Sequence, residues 1–234
     1  MILQPDCFFS FKQNKMLQNF PETCETIASP NGLLAAGGNL TQKTLITAYK
    51  KGIFPWGENG GLPLWWAPDP RAVLFPNELK ISKSLSKTVK RNDFSVTFDR
   101  EFDTVISSCG PDRGESTWIS SDILNAYTNL FNQGYAHSVE CWFEGKICGG
   151  LYGVGIGQVF FGESMYSKKR DASKIALIFL CDRLFHWGYQ FIDCQVHSEH
   201  LMKLGAKTLP KPIFESLLHQ YLRKNPSDDA WRAS

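Results

Sequence analysis

A short stretch near the end of the chain combines a carboxylate and an amide within a β-type pattern. Residues 191–196 read Phe-Ile-Asp-Cys-Gln-Val. Because side chains alternate along a strand, Asp193 and Gln195 should share one face, with apolar side chains on the other. An acid among apolar residues is costly to bury unless it is paired or used. The pattern therefore leaves two interpretations: a structural Asp satisfied by a partner, or a functional carboxylate that Gln195 helps to orient.

A second carboxylate stands in an aromatic stretch, where residues 160–165 read Phe-Phe-Gly-Glu-Ser-Met. Gly162 would allow a ligand to approach the backbone closely. The functional interpretation makes Glu163 part of a binding or catalytic site. The alternative is a core strand that carries one carboxylate at its edge.

Cations recur at helical spacing in the segment from residue 80 to residue 91, which contains no acid. They are Lys80, Lys83, Lys87, Lys90 and Arg91. Ile81, Leu85 and Val89 recur on the opposite face, so this side should pack inward and the cations should face solvent. A merely solvated face usually mixes signs, and the missing acids favour contact with phosphates, which adds salt-dependent affinity that ignores base sequence.

Cys194, His197 and His200 form the densest group of possible metal ligands, each three residues from the next. Neither a helix nor a strand brings residues three and six apart onto one face, so we expect no metal site here. The seven cysteines are scattered without a Cys-x-x-Cys pair, as expected of buried thiols in a reducing compartment. We expect no cofactor.

The elements that must position these residues indicate an α+β protein with a mixed sheet. The first third is dense in Gly, Pro and Trp and holds one short helix, with Thr41 as its N-cap and Gly52 at its end. The Pro68-Asp69-Pro70 stretch predicts a boundary between a small domain at 1–68 and a larger domain at 69–234. In the larger part, periodicity predicts strands at 72–75, 94–98, 137–143, 146–154, 158–165 and 191–196, with helices at 81–90, near 102–106, near 123–130, at 172–187 and before Gly205.

The bulk composition excludes several classes. The chain has 234 residues and a formal net charge of +2, so any contact with nucleic acid must come from a local patch. No apolar run reaches the roughly 18–20 residues that a membrane span needs. The start lacks a basic segment followed by an apolar one, so no signal peptide is expected. We expect a cytoplasmic protein, and a monomer, because no long exposed apolar stripe is evident.

The order of elements in the larger part is similar to the acetyltransferase-like (acyl-CoA N-acyltransferase) fold. Members that use CoA usually carry a glycine-rich loop before the central helix, where backbone N–H groups bind the pyrophosphate. Here residues 169–174 read Lys-Arg-Asp-Ala-Ser-Lys, without a glycine. This departure favours a donor other than CoA.

Longer segments give a more specific resemblance. They include Pro30–Gly38, Gly52–Trp56, Trp65–Leu74, Gly114–Ile119, Gly134–Glu140, Gly149–Val154, Phe161–Met165 and Ile192–Val196. In sequence and order these resemble the bacterial leucyl/phenylalanyl-tRNA–protein transferases, from about residue 30 to residue 213. Asn39, where an Asp is common, is a small departure. The resemblance implies a two-domain enzyme that moves Leu, Phe and less readily Met from aminoacyl-tRNA to proteins with N-terminal Arg or Lys, which marks them for N-end-rule degradation.

The resemblance also implies site residues. Asp193 and Gln195 match the leading catalytic pair, with Glu163 beside them. The substrate-binding positions, for the terminal adenosine or the aminoacyl side chain, are Trp56, Trp118, Leu151, Phe160, Phe161, Gly162, Met165 and Leu177.

An ester to tRNA is already activated, so the reaction requires neither metal nor ATP. We hypothesise that Asp193 binds the attacking α-amine and takes its proton, that Gln195 holds the carboxylate, and that Glu163 pairs with the acceptor's basic side chain. Three alternatives remain open at this point: a CoA-dependent N-acetyltransferase, a non-catalytic tRNA-binding module, and a metal hydrolase built on Cys194, His197 and His200.

Overall fold

The computed structural model describes residues 19–26, 31–110 and 120–232. A small antiparallel sheet lies at the amino-terminal side of the described chain. Its strands are β1 (Leu33–Ala36), β2 (Phe54–Asn59) and β3 (Leu62–Trp66), in the order β1-β3-β2. The sequence analysis did not predict these strands, because Gly and Pro interrupt a stretch in which β1 and β3 have only four and five residues.

Helix α1 (Gln42–Lys50) connects β1 to β2. It begins where predicted, because the Thr41 hydroxyl accepts a hydrogen bond from the Thr44 N–H and caps the first turn. It ends at Lys50, and Gly52 follows with φ of 72°, which suits a residue without a Cβ. The apolar side of the helix buries Leu45, Ala48 and Tyr49, and thereby places Tyr49 against the larger sheet.

Among the residues that the structure describes, seven strands form the larger sheet. They are β4 (Arg71–Leu74), β5 (Phe94–Phe98), β6 (Ala136–Phe143), β7 (Lys146–Ile156), β8 (Val159–Ser167), β9 (Phe191–Gln195) and β10 (Lys207–Leu209). The spatial order is β10-β4-β9-β8-β7-β6-β5. Only β8 and β9 pair in parallel, and the other neighbours are antiparallel. The expected fold class, α+β with a mixed sheet, is confirmed.

Helices cover both faces of this sheet. They are α2 (Lys83–Lys90), α3 (Phe102–Ser108), α4 (Ser121–Asn132), α5 (Ala172–His186), α6 (Glu199–Lys203) and α7 (Lys211–Tyr221). Buried side chains of α3, α4 and α7 join those of the small sheet and α1 in one apolar cluster. Buried side chains of α2 and α5 form the cluster on the opposite face. Since α5 is the crossover between the parallel strands β8 and β9, its first turns lie beside the site described below.

One helix prediction needs correction, and two elements were not predicted. The helix expected at 81–90 begins at Lys83, because the Ser82 hydroxyl accepts from the Leu85 N–H at 3.2 Å and caps it. Ile81 therefore precedes the helix and is 45% exposed instead of packing inward. The sequence analysis also missed β10 and α7, which follow Gly205.

The small sheet spans residues 33–66 and the large one begins at Arg71. The domain boundary near residue 68 stays a prediction. Within the described part of the chain, none of the helices is long and apolar enough to cross a membrane.

Candidate active site

A pocket of about 470 Å³ opens between the small sheet, strands β8 and β9, and helix α5. This volume falls within the range of small-molecule sites. The walls are mostly apolar, and Glu163 and Gln195 contribute polar groups. Of the residues proposed from the sequence, the pocket brings together Trp56, Leu151, Phe160, Gly162, Glu163, Met165, Leu177 and Gln195.

Glu163 is the centre of a hydrogen-bond network at this pocket. Its Oε1 accepts from the Tyr49 hydroxyl at 2.8 Å and from the Gln195 side-chain amide at 2.8 Å. Its Oε2 accepts from the Tyr127 hydroxyl at 2.9 Å. The two tyrosine oxygens lie 2.5 Å apart. Strand β8 supplies the carboxylate, β9 the amide, and helices α1 and α4 the two buried phenols.

Burial raises the pKa of Glu163 from 4.5 to about 7. The hydrogen bonds from Tyr49, Tyr127 and Gln195 lower the pKa but do not outweigh the loss of solvation, and the charge of Asp193 raises it further. Burial and the Glu163 charge in turn raise the pKa of both tyrosines, so both remain protonated donors.

The number of protons in the network gives a geometric reason for the raised pKa of Glu163. Three oxygen–oxygen contacts join Tyr49, Tyr127 and Glu163 in a closed triangle. Two phenol protons fill only two of these contacts, since each hydroxyl carries one proton. A proton on Glu163 completes the triangle, with each oxygen group donating once. The unliganded network therefore favours the neutral acid, and ionisation forces two phenol oxygens together without a proton between them.

Asp193 has a different environment. Arg71 Nε and Nη2 bind its two oxygens at 2.8 Å and 2.7 Å, and both side chains are almost completely buried. The Arg71 guanidinium lies between the rings of Phe54 and Phe214, at 4.7 Å and 4.8 Å from their centroids. The backbone N–H of Gln195 adds a third hydrogen bond to Asp193 Oδ1 at 2.9 Å. Asp193 is thus a paired carboxylate behind the pocket wall and does not line the pocket.

A β-bulge in β9 separates the environments of Asp193 and Gln195. Val73 of β4 pairs with Asp193 and Ala72 with Gln195, so Cys194 is an extra residue on β9. Gln195 has φ of 66°, which is uncommon for a residue with a Cβ. The bulge lets the Gln195 backbone bond to Asp193 while its side chain reaches Glu163. Simple alternation along the strand did not anticipate this kink.

Trp56 lines the edge of the pocket, whereas two predicted substrate-binding residues, Phe161 and Trp118, are not among its lining residues. Trp56 is 39% exposed at the pocket edge, 5.4 Å from the Trp66 ring in an edge-to-face arrangement. Phe161 does not line the pocket, because it points to the opposite face of β8 and contacts Tyr49 at 4.8 Å between centroids. Trp118 lies outside the described residues.

The predicted basic face is present as exposed cations on and around α2, at Lys80, Lys83, Lys87, Lys90 and Arg91. Three residues of the site were not singled out for a role from the sequence: Tyr49, Tyr127 and Arg71. Tyr49 falls within the short helix predicted between Thr41 and Gly52, and Tyr127 within the helix predicted near 123–130. Arg71 stood in a matching segment, but its pairing with Asp193 spans 122 residues.

Cys194, His197 and His200 do not come together as expected of ligands. Among residues 19–26, 31–110 and 120–232, no group of three or more His, Cys, Asp or Glu side chains is arranged to hold a metal ion. The Cys194 thiol instead lies 3.8 Å from the Ile192 carbonyl, and burial raises its pKa.

The fold and the pocket together define a class: an α+β protein with an apolar pocket that contains a buried carboxylate of raised pKa, Glu163. Family models narrow the class. The model described as leucyl/phenylalanyl-tRNA protein transferase matches residues 73–219, and the model of its N-terminal domain matches residues 38–69. This chain belongs to the leucyl/phenylalanyl-tRNA–protein transferase family, and the expected enzyme class, an aminoacyltransferase, is confirmed.

Similar proteins carry the same family name. The leucyl/phenylalanyl-tRNA–protein transferase of Nitrosomonas europaea is 52% identical over 203 residues, which is 86% of each chain. The one from Methylococcus capsulatus is 47% identical over 221 residues, or 94% of each chain. Among solved structures, a GCN5-related N-acetyltransferase from Kribbella flavida has a TM-score of 0.37 and 11% identity, covering 71% of this chain and 59% of its own. An aminoglycoside acetyltransferase from an uncultured soil sample has a TM-score of 0.39 and 13% identity, covering 48% and 84%.

Proposed function

We propose that this protein transfers Leu or Phe, and less readily Met, from aminoacyl-tRNA to the α-amine of proteins that begin with Arg or Lys, and so marks them for N-end-rule degradation. Family membership supports the donor and the reaction. The observation that carries the proposal is Glu163, a carboxylate with a pKa of about 7 at an apolar pocket, bonded to Gln195.

The pocket walls suit an apolar aminoacyl group. Leu151, Phe160, Met165 and Leu177 offer apolar contact surface, and burying a Leu or Phe side chain contributes about 25 cal/mol per Å² of apolar area. Trp56 at the pocket edge is placed to stack on the terminal adenine, which is worth about 1–3 kcal/mol. Selection of the aminoacyl group thus follows from the shape and burial of the apolar walls, and binding of the terminal adenine follows from stacking on Trp56.

Glu163 is the proton acceptor in this proposal. The neutral α-amine attacks the ester carbonyl, the new C–N bond forms, and the bond from the carbonyl carbon to the ribose oxygen breaks. The amine gives its proton to ionised Glu163, which passes it to the departing ribose oxygen, so protons balance without a cofactor. An α-amine has a pKa of about 7.7–8.0, which is close to the value of about 7 for Glu163. This match keeps both groups in the required states near neutral pH.

Gln195 is an orienting group. Its amide N–H₂ donates to Glu163 Oε1 at 2.8 Å, which directs its carbonyl oxygen toward an N–H donor. An incoming amine that donates to this oxygen is aligned for attack while Glu163 receives the second proton. Such alignment contributes to the rate by reducing the orientational entropy lost in the reaction.

We assign Asp193 a positioning role, which differs from direct binding of the amine. Its two oxygens are already held by Arg71, and its third hydrogen bond fixes the backbone of Gln195. A carboxylate held in this way supports the pocket from behind. The charge of Asp193 is balanced by Arg71, so the acceptor's basic side chain is attracted by ionised Glu163, in agreement with a preference for Arg or Lys.

The exposed cations on α2 are proposed to meet tRNA phosphates, which gives affinity that depends weakly on tRNA sequence. Monomeric action in the cytoplasm stays a prediction from the sequence, and light scattering of the purified protein tests the oligomeric state.

The test is transfer of radiolabelled Leu or Phe from charged tRNA to two peptides, one beginning with Arg and one with Gly, without ATP, metal or CoA. We expect label on the Arg peptide alone. Glu163→Gln should lower the rate by about 10²–10⁴, whereas Glu58→Gln, at an exposed position on β2, should not. Binding of charged tRNA without any labelled peptide would overturn the proposal in favour of a binding module.

A further inference from the structure

A second cleft, of about 510 Å³, lies on the other side of the first turn of α5. Asp171 at the start of this helix lines the cleft, and Ser173 two residues later lines the active-site pocket. A chain that leaves the pocket at this point therefore passes directly over the turn between β8 and α5. The position of the cleft makes it a candidate for the part of the donor that follows the terminal nucleotide.

Two separate segments supply cations to this cleft. Lys87 and Arg91 come from α2, and Lys169 and Arg170 come from the β8–α5 turn, about 80 residues later in the chain. A solvated helix face does not require a distant loop to bring cations of the same sign to the same opening. The convergence indicates a site for negative charge that is built by the tertiary structure.

The geometry of the turn holds these cations in place. The backbone N–H of Lys169 donates to the Cys148 carbonyl at 3.1 Å. Its ammonium lies 3.3 Å from the centroid of the Phe143 ring, which forms a cation–π contact in the cleft wall. The Arg170 side chain is 87% exposed, and its Nε lies 3.6 Å from Asp171 Oδ2 at the start of α5. Both cations of the turn are therefore held at the cleft by neighbouring groups, and Arg170 keeps most of its surface open to solvent.

The two acids that line the cleft are already matched by other charges. Asp171 binds Lys174 at 2.7 Å and Arg170 at 3.6 Å, and Lys174 lies outside the cleft lining. Asp93 pairs with Arg91 at 3.4 Å. The lining itself carries four cations against two carboxylates, and the Lys174 charge adds to the positive side. This excess of positive charge favours the binding of phosphate groups.

We propose that this cleft binds backbone phosphates of the tRNA acceptor end, with Lys169 and Arg170 as contacts that extend the basic face of α2 to the pocket. The inference rests on the proposed function, since it assumes that the donor is a charged tRNA. Contacts of this kind position the nucleic acid and do not read its bases. The cleft would thereby fix the acceptor end while the terminal aminoacyl-adenosine enters the pocket.

The experiment compares two donors, phenylalanyl-tRNA and Phe esterified to adenosine alone, on the double variant Lys169→Ala/Arg170→Ala. The matched control is Arg223→Ala/Lys224→Ala, which removes the same charge beyond α7, next to the start of β8, roughly 30 Å away along this strand. Loss of two phosphate contacts should raise KM for charged tRNA by about 10- to 30-fold at 0.15 M salt and flatten the salt dependence by about 1.4–1.8 in log–log slope.

Transfer from aminoacyl-adenosine should be unchanged in the double variant, which also shows that the variant is folded. An equal loss with both donors would overturn the proposal, because the turn would then act on the pocket itself. An unchanged KM for charged tRNA, or an equal effect of the control pair, would also overturn it. If the unmodified protein transfers Phe from neither donor, the proposed function itself is refuted, together with the assignment of the cleft that rests on it.

Discussion

Replacing Glu163 by Gln should change how the stability of the protein depends on pH. Gln has nearly the same shape and cannot ionise. It keeps an oxygen to accept a phenol proton, and the other Tyr hydroxyl can rotate to accept from its amide. The variant therefore removes the titration and preserves most of the packing.

The size of the effect follows from the pKa of Glu163, which is about 7 in the folded protein and 4.5 ordinarily. A carboxyl whose pKa is raised by folding stabilises the folded state at low pH, and this contribution is lost as pH rises through the folded value. For these two pKa values, the unfolding free energy of the unmodified protein falls by about 2.5 kcal/mol between pH 5 and pH 8 from this group alone. The fall is spread over the window between the two pKa values and is nearly complete at pH 8.

The measurement is urea unfolding of both proteins at half-unit steps from pH 5 to pH 8. The difference between the two unfolding free energies cancels the other titrating groups, which the substitution leaves in place. We expect the variant to gain about 2.5 kcal/mol relative to the unmodified protein across this range. Glu58→Gln serves as the control at an exposed position and should give a flat difference.

If the difference in unfolding free energy between Glu163→Gln and the unmodified protein does not change with pH, the reasoning is refuted. The carboxyl would then titrate alike in the folded and unfolded states. A difference of opposite sign would show that the hydrogen bonds from Tyr49, Tyr127 and Gln195 outweigh burial. The proton-sharing triangle would then be incorrect as well.

Three further predictions concern the surroundings of this carboxyl. Arg71→Met should destabilise the protein by about 3–5 kcal/mol, because it leaves Asp193 buried and unpaired, and adding Asp193→Leu should restore most of the stability but not the transfer activity. Urea unfolding measures the stability and the peptide assay measures the transfer. A small loss of stability in Arg71→Met alone would contradict the role of the buried pair. Trp56→Ala should raise KM for charged tRNA roughly 5- to 150-fold with little change in kcat, with Trp56→Phe close to the unmodified enzyme; an effect on kcat alone would argue against stacking. Gln195→Leu removes a hydrogen bond that lowers the pKa of Glu163 and lies outside the tyrosine triangle, so the acid limb of the pH–rate profile of the residual activity should move to higher pH; an unmoved limb would argue against Glu163 as the titrating group.

The periodicity of the sequence predicted most strands of the larger sheet. Strand β5 occupies Phe94–Phe98 as predicted, and α4 follows the Ser120 cap, because alternation and capping are local properties that a sequence displays directly. The short strands of the small sheet, β10 and α7 were missed, since they depend on partners far away in the chain. Gly162, Glu163 and Gln195 were selected from the sequence and do line one pocket, although their roles stay predictions.

The sequence by itself determined the fold class, the family and eight of the pocket-lining residues. Only the tertiary structure decided which carboxylate faces the pocket. Asp193 and Glu163 looked equivalent in the sequence, each an acid in an apolar strand. Folding brings Arg71 across 122 residues to Asp193 and two tyrosines from separate helices to Glu163. Arg71 pairs with one acid, while burial among neutral donors raises the pKa of the other, and neither partner can be read from local spacing.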